Sequence, residues 1–537
     1  MQTMAPAESR DESNFLISRN SLFLVVLLLG AFGVRLIFVR IAGNNATDAW
    51  SRYRYALHWL QHPRALPVAT STDAWLPLHF WLLGAVLWLA NSEVSARIFT
   101  ALLGALTIGF YWSIVARTFD RQIALASSLM LALFGFHIAF SVSTASEVPT
   151  IFFLASGIYG WLRFALGEKW AWAVFSAAMF GAASLCRFEP WLCAPVLGLM
   201  LLDSEKDSSL LSSTRRMWRA VAFAVLGSAT AFGWLVFSFY KWGDPLELPH
   251  RTMWLNMHFR PTILRHSLGF SLLTVPVSLL ISISPLVAGL AALGIYHTIT
   301  LRIRPARAIA VLTLTLFAFN YWNAIRYEAT QSRYTLLYSW LLIPFALVGL
   351  RYFVTRWRLQ SPRAYVVTVV FFVLWQIGIL LGATYASPMV ADRLAQMSPT
   401  LPLHHEMREL TGWLLKNRVS GAMILDDLNW DSRTVARLTH LNTPNIFQVT
   451  AQHYADHSLL SRELNSFVQV YHPELLVCSP YGPIGTLWSV DGRKRFEIEN
   501  LGIELQQQWS SEHWRAYAIT YKVHPSESHY KGAHLSE

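Results

Sequence analysis

The sequence predicts an α-helical polytopic membrane protein followed by a small C-terminal α/β domain, and three observations predict it. Of 537 residues, 54% are hydrophobic and only 14% charged, whereas a soluble domain carries about a quarter charged residues. Apolar runs of about 20 residues, the length that crosses a bilayer, recur down the chain. The 23 Trp, 19 Tyr and 32 Phe suit a protein anchored at two lipid–water interfaces.

Taken in order, eleven apolar segments read as spans: 21–41, 95–116, 122–142, 148–166, 170–186, 190–202, 219–240, 270–299, 307–325, 334–350 and 364–386. The first is a retained anchor, because Ser21 to Phe38 is long and has no small-residue cleavage site. The segment at 190–202 is short enough for a half-helix. Trp75–Ala90 is apolar but too short beyond Pro77 to cross, so it reads as an interfacial or re-entrant helix. Charge supports that choice. With this run kept out of the count, Arg10, Arg19, Arg117, Arg121, Arg163, Lys169, Lys206, Arg215, Arg216, Arg219, Arg302, Arg304, Arg307, Arg351, Arg356, Arg358 and Arg363 all fall on one side. By the positive-inside rule that side is cytoplasmic. The chain is then an inner-membrane protein with its N-terminus in the cytoplasm and its C-terminal domain periplasmic.

The outward segments are 42–94, 143–147, 187–189, 241–269, 326–333 and everything after 387. In the first, Ala49, Trp50, Tyr53, Ala56, Leu57 and Leu60 recur at helical spacing, with Arg52, Arg54, His58 and Gln61 on other faces. That pattern predicts an interfacial helix over Asp48–His62. The domain plan is therefore a membrane domain over 1–390 with loop helices at 48–62 and 77–90, an α/β domain over 391–525, and a disordered tail over 526–537. In the α/β domain, strands are expected at Met423–Asp427, Asn445–Val449, Glu474–Ser479 and Trp514–Lys522, and helices at His404–Asn417, Ser432–Leu438 and His457–Asn465.

Several function classes drop out. The net charge of +11 reflects positive-inside bias and a need to hold phosphates, and no basic run or recognition motif points to nucleic acid. Three cysteines, Cys186, Cys193 and Cys478, give neither a disulfide framework nor a zinc spacing. There is no P-loop and no dinucleotide fingerprint. Asp203-Ser204-Glu205 superficially resembles a nucleotide-sugar metal motif but lies in a cytoplasmic loop of polar residues.

Three acids collect near the outer face: Asp48 at the start of the first loop helix, Glu147 in Ser146-Glu147-Val148-Pro149, and Glu189 in Cys186-Arg187-Phe188-Glu189-Pro190-Trp191. Ionisable groups at membrane depth are costly and mark functional sites. Singly, each has a plain alternative: Asp48 as a helix cap, Glu147 as a first-turn acid, Arg187 with Glu189 as a local ion pair. Outer cations, among them Arg251, Arg326 and Arg333, run against positive-inside bias. An arginine there suits a phosphate, because its planar fork makes paired charge-assisted bonds, with interface anchoring as the alternative. Arg333 opens a span as Ser332-Arg333-Tyr334.

These stretches resemble the GT-C class of lipid-dependent membrane glycosyltransferases, in particular bacterial relatives of dolichyl-phosphate-mannose–protein mannosyltransferase and aminoarabinose transferase. Asp48 looks like that class's first-loop acid, and Glu147 like its second-loop acid. Trp75-Leu76-Pro77-Leu78-His79-Phe80-Trp81 looks like its second juxtamembrane helix. Leu185 to Trp191 resembles an Arg-Tyr-Glu-Gly-Trp stretch, with Pro190 in place of glycine. Arg333-Tyr334 is similar to a late Arg-Tyr pair that approaches the lipid phosphate. The likeness covers roughly the first 390 residues. It implies transfer of a sugar, with inversion, from a polyprenyl-phosphate donor to a lipid, glycan or protein acceptor on the outer face. Asp48 and Glu147 are then the catalytic acids, and Arg333, Arg187, Glu189, His79, Arg251 and Tyr53 the donor- or substrate-binding set. The resemblance fixes no cofactor. A divalent metal stays open, although the paired second-loop acids that suit one are reduced to Glu147. Two other classes remain: a transporter or flippase, which predicts repeat symmetry and midplane charges that the sequence lacks, and a non-catalytic envelope scaffold presenting the C-terminal domain.

Overall fold

A computed structural model of the chain describes residues 12–41, 49–61, 75–203, 210–251, 268–301, 303–327, 332–357, 361–385, 405–417, 421–426, 446–448, 457–478, 483–490, 493–511 and 514–522. The chain divides into two compact units, Met1–Pro402 and Leu403–Glu537.

The first unit is helical. Its elements are α1 (Glu12–Ile41), α2 (Ala49–Gln61), α3 (Leu78–Leu89), α4 (Glu93–Thr118), α5 (Arg121–Ala132), α6 (Gly135–Ser141), α7 (Glu147–Ala165), α8 (Trp170–Ser184), α9 (Cys193–Met200), α10 (Leu210–Trp242), α11 (Leu268–Ile283), α12 (Pro285–Thr300), α13 (Arg304–Tyr327), α14 (Leu336–Arg356) and α15 (Ser361–Tyr385). Short 3-10 turns, Glu189–Leu192 and Ser332–Thr335, lead into α9 and α14. Each of the eleven predicted segments carries helix. Among the described residues, six helices are long and apolar enough to cross a membrane, or up to eight if each of two bent pairs is one span. The difference from eleven arises because α8, α9 and the apolar part of α15, Arg363–Gly378, are short and because two predicted spans are broken.

Both breaks have local causes. The predicted span 270–299 is two helices bent by 103°. Ser284, at φ 76°, leaves the helical region, Pro285 has no N–H to continue the ladder, and the Ser284 hydroxyl caps α12 by accepting from Val287 N at 3.2 Å. The segment 122–142 bends by 55° between α5 and α6, where Phe134 is extended. α3 has 12 residues, about 18 Å at 1.5 Å per residue, well short of a bilayer core of about 30 Å. Its length agrees with the reading that it does not cross.

The bundle core is built on α14, whose Tyr338, Trp340 and Phe345 are buried. Tyr111 of α4 donates its hydroxyl to Trp340 O at 3.0 Å, tying α4 to α14. α12 meets α14 through Gly294 and Gly349, each lying so close to the other helix that a Cβ would strike its backbone carbonyl. The loop helices α2 and α3 form a smaller core of Tyr53, Ala56, Phe80, Leu83 and Leu87 with Ala96 of α4. Arg52, expected on a face of α2 other than the apolar one, is instead buried in this core, its guanidinium 4.4 Å from the Trp75 ring centroid. It is three residues after Ala49 and four before Ala56, so helical spacing does place it on the packed face.

The second unit is a mixed α/β domain. Among the described residues its strands are β1 (Met423–Asp426), β2 (Ile446–Gln448), β3 (Leu475–Cys478), β4 (Arg495–Ile498), β5 (Ile503–Ser510) and β6 (Arg515–Tyr521), in the order β2-β1-β3-β6-β5-β4. β1 pairs in parallel with β2 and β3, and the remaining pairs are antiparallel. Four of the strands match expected ones. The β4–β5 hairpin was not expected, although Phe496, Ile498, Ile503 and Leu505 point inward between polar residues, a period of two that marks a half-buried strand. Gly502, at φ 62°, turns the chain between them. Helices His405–Lys416 and His457–Tyr471 match two expected ones. The helix expected at Ser432–Leu438 and the tail at 526–537 lie outside the described residues.

Candidate active site

The site begins with a carboxylate where none is cheap. Glu147, the first residue of α7, is wholly buried. Its Oε1 accepts from Arg187 Nη1 at 2.8 Å and forms an ion pair with Arg333 Nε at 3.5 Å. Arg187 in turn donates from Nη2 to Glu189 Oε1 at 2.6 Å and from Nε to both Glu189 oxygens at 3.2 Å. Both guanidiniums lie over the ring of Tyr334, at 5.0 Å for Arg187 and 5.4 Å for Arg333. Three chain segments, far apart in sequence, therefore meet in a network of two cations and two anions. Burial by itself lowers the Arg187 pKa, but Glu189 and Glu147 more than reverse this and raise it above the ordinary arginine value. Two atoms are left over. Glu147 Oε2 and the Ser146 hydroxyl are buried with no hydrogen-bond partner, a costly state that a bound polar group relieves.

The backbone carrying Glu147 is tied to its neighbours. Arg97 of α4 donates to Val142 O at 2.7 Å, and the Thr144 hydroxyl donates to Ala49 O, the first residue of α2, at 2.5 Å. Thr150 closes the first turn of α7 onto Ser146 O at 2.7 Å. Beneath, Arg35 of α1 is buried and donates from Nη1 to Ala31 O at 2.9 Å and to Ala132 O at 3.4 Å, where α5 ends at the bend. Its Nη2 bonds His137 Nδ1 at 2.8 Å. A guanidinium only donates, so Nδ1 accepts and the ring is neutral with its proton on Nε2. The Arg187 turn is tied as well: Leu78 N, opening α3, donates to Leu185 O at 3.1 Å, and Trp191 Nε1 to Ser184 O at 3.0 Å.

Of the residues singled out from sequence, the structure brings together Glu147, Arg187, Glu189 and Arg333. Asp48 lies outside the described residues; its neighbour Ala49 is the residue that Thr144 bonds, three positions before Glu147. Tyr53 packs in the α2–α3 core, and burial together with the nearby Glu93 carboxylate raises its pKa. His79 is buried in α3 beside Phe80. Arg251, expected to bind substrate, pairs with Glu247 one turn earlier at 2.5 Å and lies 5.9 Å from the Trp242 ring centroid. Asp203 of the discounted metal-like motif pairs with Arg307. Arg35, His137 and Arg97 were missed, although an arginine inside an apolar run is a signal in itself.

The family model described as dolichyl-phosphate-mannose-protein mannosyltransferase matches residues 69–234, the stretch that contains Glu147, Arg187 and Glu189. No curated protein matches the chain by sequence. Among solved structures, ArnT from Cupriavidus metallidurans in the apo state aligns with a TM-score of 0.55 and 14% identity, over 94% of this chain and 98% of that one. The chain has the GT-C fold. The same ArnT bound to undecaprenyl phosphate aligns with a TM-score of 0.54 and 14% identity, over 93% of this chain and 97% of that one. An archaeal oligosaccharyltransferase, AglB from Archaeoglobus fulgidus in complex with an inhibitory peptide and a dolichol-phosphate, aligns at a TM-score of 0.48 and 12% identity, over 86% of this chain and 70% of that one. The alignments with ArnT extend into both units of this GT-C chain.

Proposed function

We propose that the chain transfers a sugar from a polyprenyl-phosphate donor to an acceptor on the outer face of the inner membrane, with inversion. The observation that carries this reading is Glu147, a buried carboxylate with one unpartnered oxygen, held between Arg187 and Arg333 in a GT-C fold. In the reaction, an acceptor hydroxyl or amine attacks the anomeric carbon. The bond from that carbon to the phosphate oxygen breaks, and the lipid leaves as polyprenyl phosphate. A phosphate needs little acid help to leave, but its charge must be stabilised, which is the task of Arg333. The acceptor proton goes to a base. Asp48 takes that role, and Thr144 links its neighbour Ala49 to the segment that ends in Glu147. Glu147 orients the acceptor through Oε2. The donor's polyprenyl tail lies among the late helices.

A divalent cation does not fit the described carboxylates. Glu147 and Glu189 both already accept from Arg187, whose positive charge stands between them. Removing the protein from its cell should strip one sugar from an envelope glycan, glycolipid or glycoprotein, read by mass spectrometry.

The site faces outward in this reading because the Arg and Lys residues at the opposite helix ends, such as Arg117, Arg163, Arg219 and Arg356, mark the cytoplasmic side. A reporter active only outside the cytoplasm should be active when fused after residue 400 and silent when fused at residue 210. The reverse pattern would place the site on the wrong side for this reaction.

A further inference from the structure

We infer that Glu189 and Arg187 form a relay that fixes Glu147, which makes Glu189 a positioning residue for the transfer; this rests on the glycosyl-transfer reading above. An arginine grips a phosphate best with the edge formed by two nitrogens of its planar fork. On Arg187 the Nε–Nη2 edge is occupied by Glu189, through Nη2 at 2.6 Å and Nε at 3.2 Å to both oxygens. The remaining terminal nitrogen, Nη1, holds Glu147 Oε1 at 2.8 Å. Arg187 is thereby committed to two carboxylates, and its contribution is orientation. Glu189 sets the plane of the guanidinium, the Tyr334 ring lies beneath it, and Nη1 anchors one oxygen of Glu147.

The consequence falls on the other oxygen. With Oε1 engaged by Arg187 and facing Arg333 at 3.5 Å, the Glu147 carboxylate cannot turn freely, and Oε2 is presented with no partner of its own. A third group that orients a working side chain from behind is a recurring arrangement in enzyme sites, and here the oriented side chain is the one that holds the acceptor. Here the local sequence builds it compactly. Arg187 and Glu189 are two residues apart, in the turn between α8 and α9, and Pro190 follows Glu189 in the 3-10 turn. The thiols of Cys186 and Cys193 lie near this pair, Cys186 by Arg187 and Cys193 by Glu189, and take no part in the relay.

The test is a double-mutant cycle on the full chain with Glu189→Gln, Glu147→Gln and the two combined, measuring kcat, donor KM and melting temperature. Glu189→Gln should lower kcat by about 10-fold or more, as misplacing a group that orients a reactant does. Donor KM should stay unchanged. In the Glu147→Gln background the same change should cost nothing further, because the residue it positions is already gone. Glu189→Asp should recover part of the rate. A raised donor KM with unchanged kcat would overturn the relay and make Arg187 a phosphate ligand; so would losses that multiply independently. If Glu189→Gln fails to fold, Glu189→Asp and Arg187→Lys carry the same comparison. A wild-type protein that transfers no sugar defeats the functional reading instead. The melting temperatures of the four proteins then decide the relay, coupled losses supporting it and additive losses ending it.

Discussion

Asp48→Asn should slow sugar transfer by about 10²-fold or more, the usual contribution of a general base, while leaving the protein folded. The reasoning starts from α2. In the sequence Asp48 immediately precedes Ala49, the first residue of α2, and aspartate is a residue type that caps helices. Asparagine caps a helix about as well as aspartate, so stability should hardly change. What asparagine cannot do is take a proton. Ala49 is buried and is bonded by Thr144, in the segment leading into Glu147, which brings the start of α2 to the side of the site where the acceptor enters in this reading. Asp48→Ala should show the same loss of rate plus a folding cost of about 1 kcal/mol from the lost cap. The checks are the transfer rate and the melting temperature of purified protein. A wild-type rate in Asp48→Asn would make Asp48 a helix cap only.

Arg333→Ala should weaken donor binding by about 1.5–3 kcal/mol, the worth of a charge-assisted bond to a buried anion, or about 10- to 150-fold. Arg333 is buried and faces Glu147 from the turn that opens α14. The control is Arg356, exposed at the far end of the same helix, about 30 Å away for 21 residues. Arg356→Ala should leave donor affinity unchanged. Titrating both variants with a polyprenyl-phosphate sugar decides the matter. Equal and small effects would mean that Arg333 only anchors its helix end.

The parts of this architecture that were legible in the sequence are those set by local composition. A continuous apolar run of about 20 residues that crosses a bilayer forms a helix, because only a helix satisfies its backbone within the one segment, and each predicted segment carries helix. The positions of Glu147, Arg187, Glu189 and Arg333 on one predicted side followed from counting those runs against their flanking charges. What was not legible depends on contacts between distant segments. Arg35 was visible as a charge in an apolar run, but its partner His137 lies 102 positions away. That Arg187 joins Glu189 to Glu147, separated from it by 40 positions, is likewise a property of packing. Arg52 was placed on a face other than the apolar one because it is charged, whereas stacking on Trp75 lets its guanidinium lie inside. The break before α12 needed the weight of Pro285 over a long apolar run, and the β4–β5 hairpin was hidden because its strands are rich in charged and polar residues.

The most direct measurement is mass spectrometry of the polyprenyl-phosphate-linked sugars and the envelope glycans from cells with the protein, without it, and with Asp48→Asn in its place. Loss of one sugar from an envelope acceptor, with the matching polyprenyl-phosphate sugar accumulating in both the deleted and the Asp48→Asn cells, is the predicted result. An unchanged pool of lipid-linked sugars and unchanged envelope glycans in all three would contradict it.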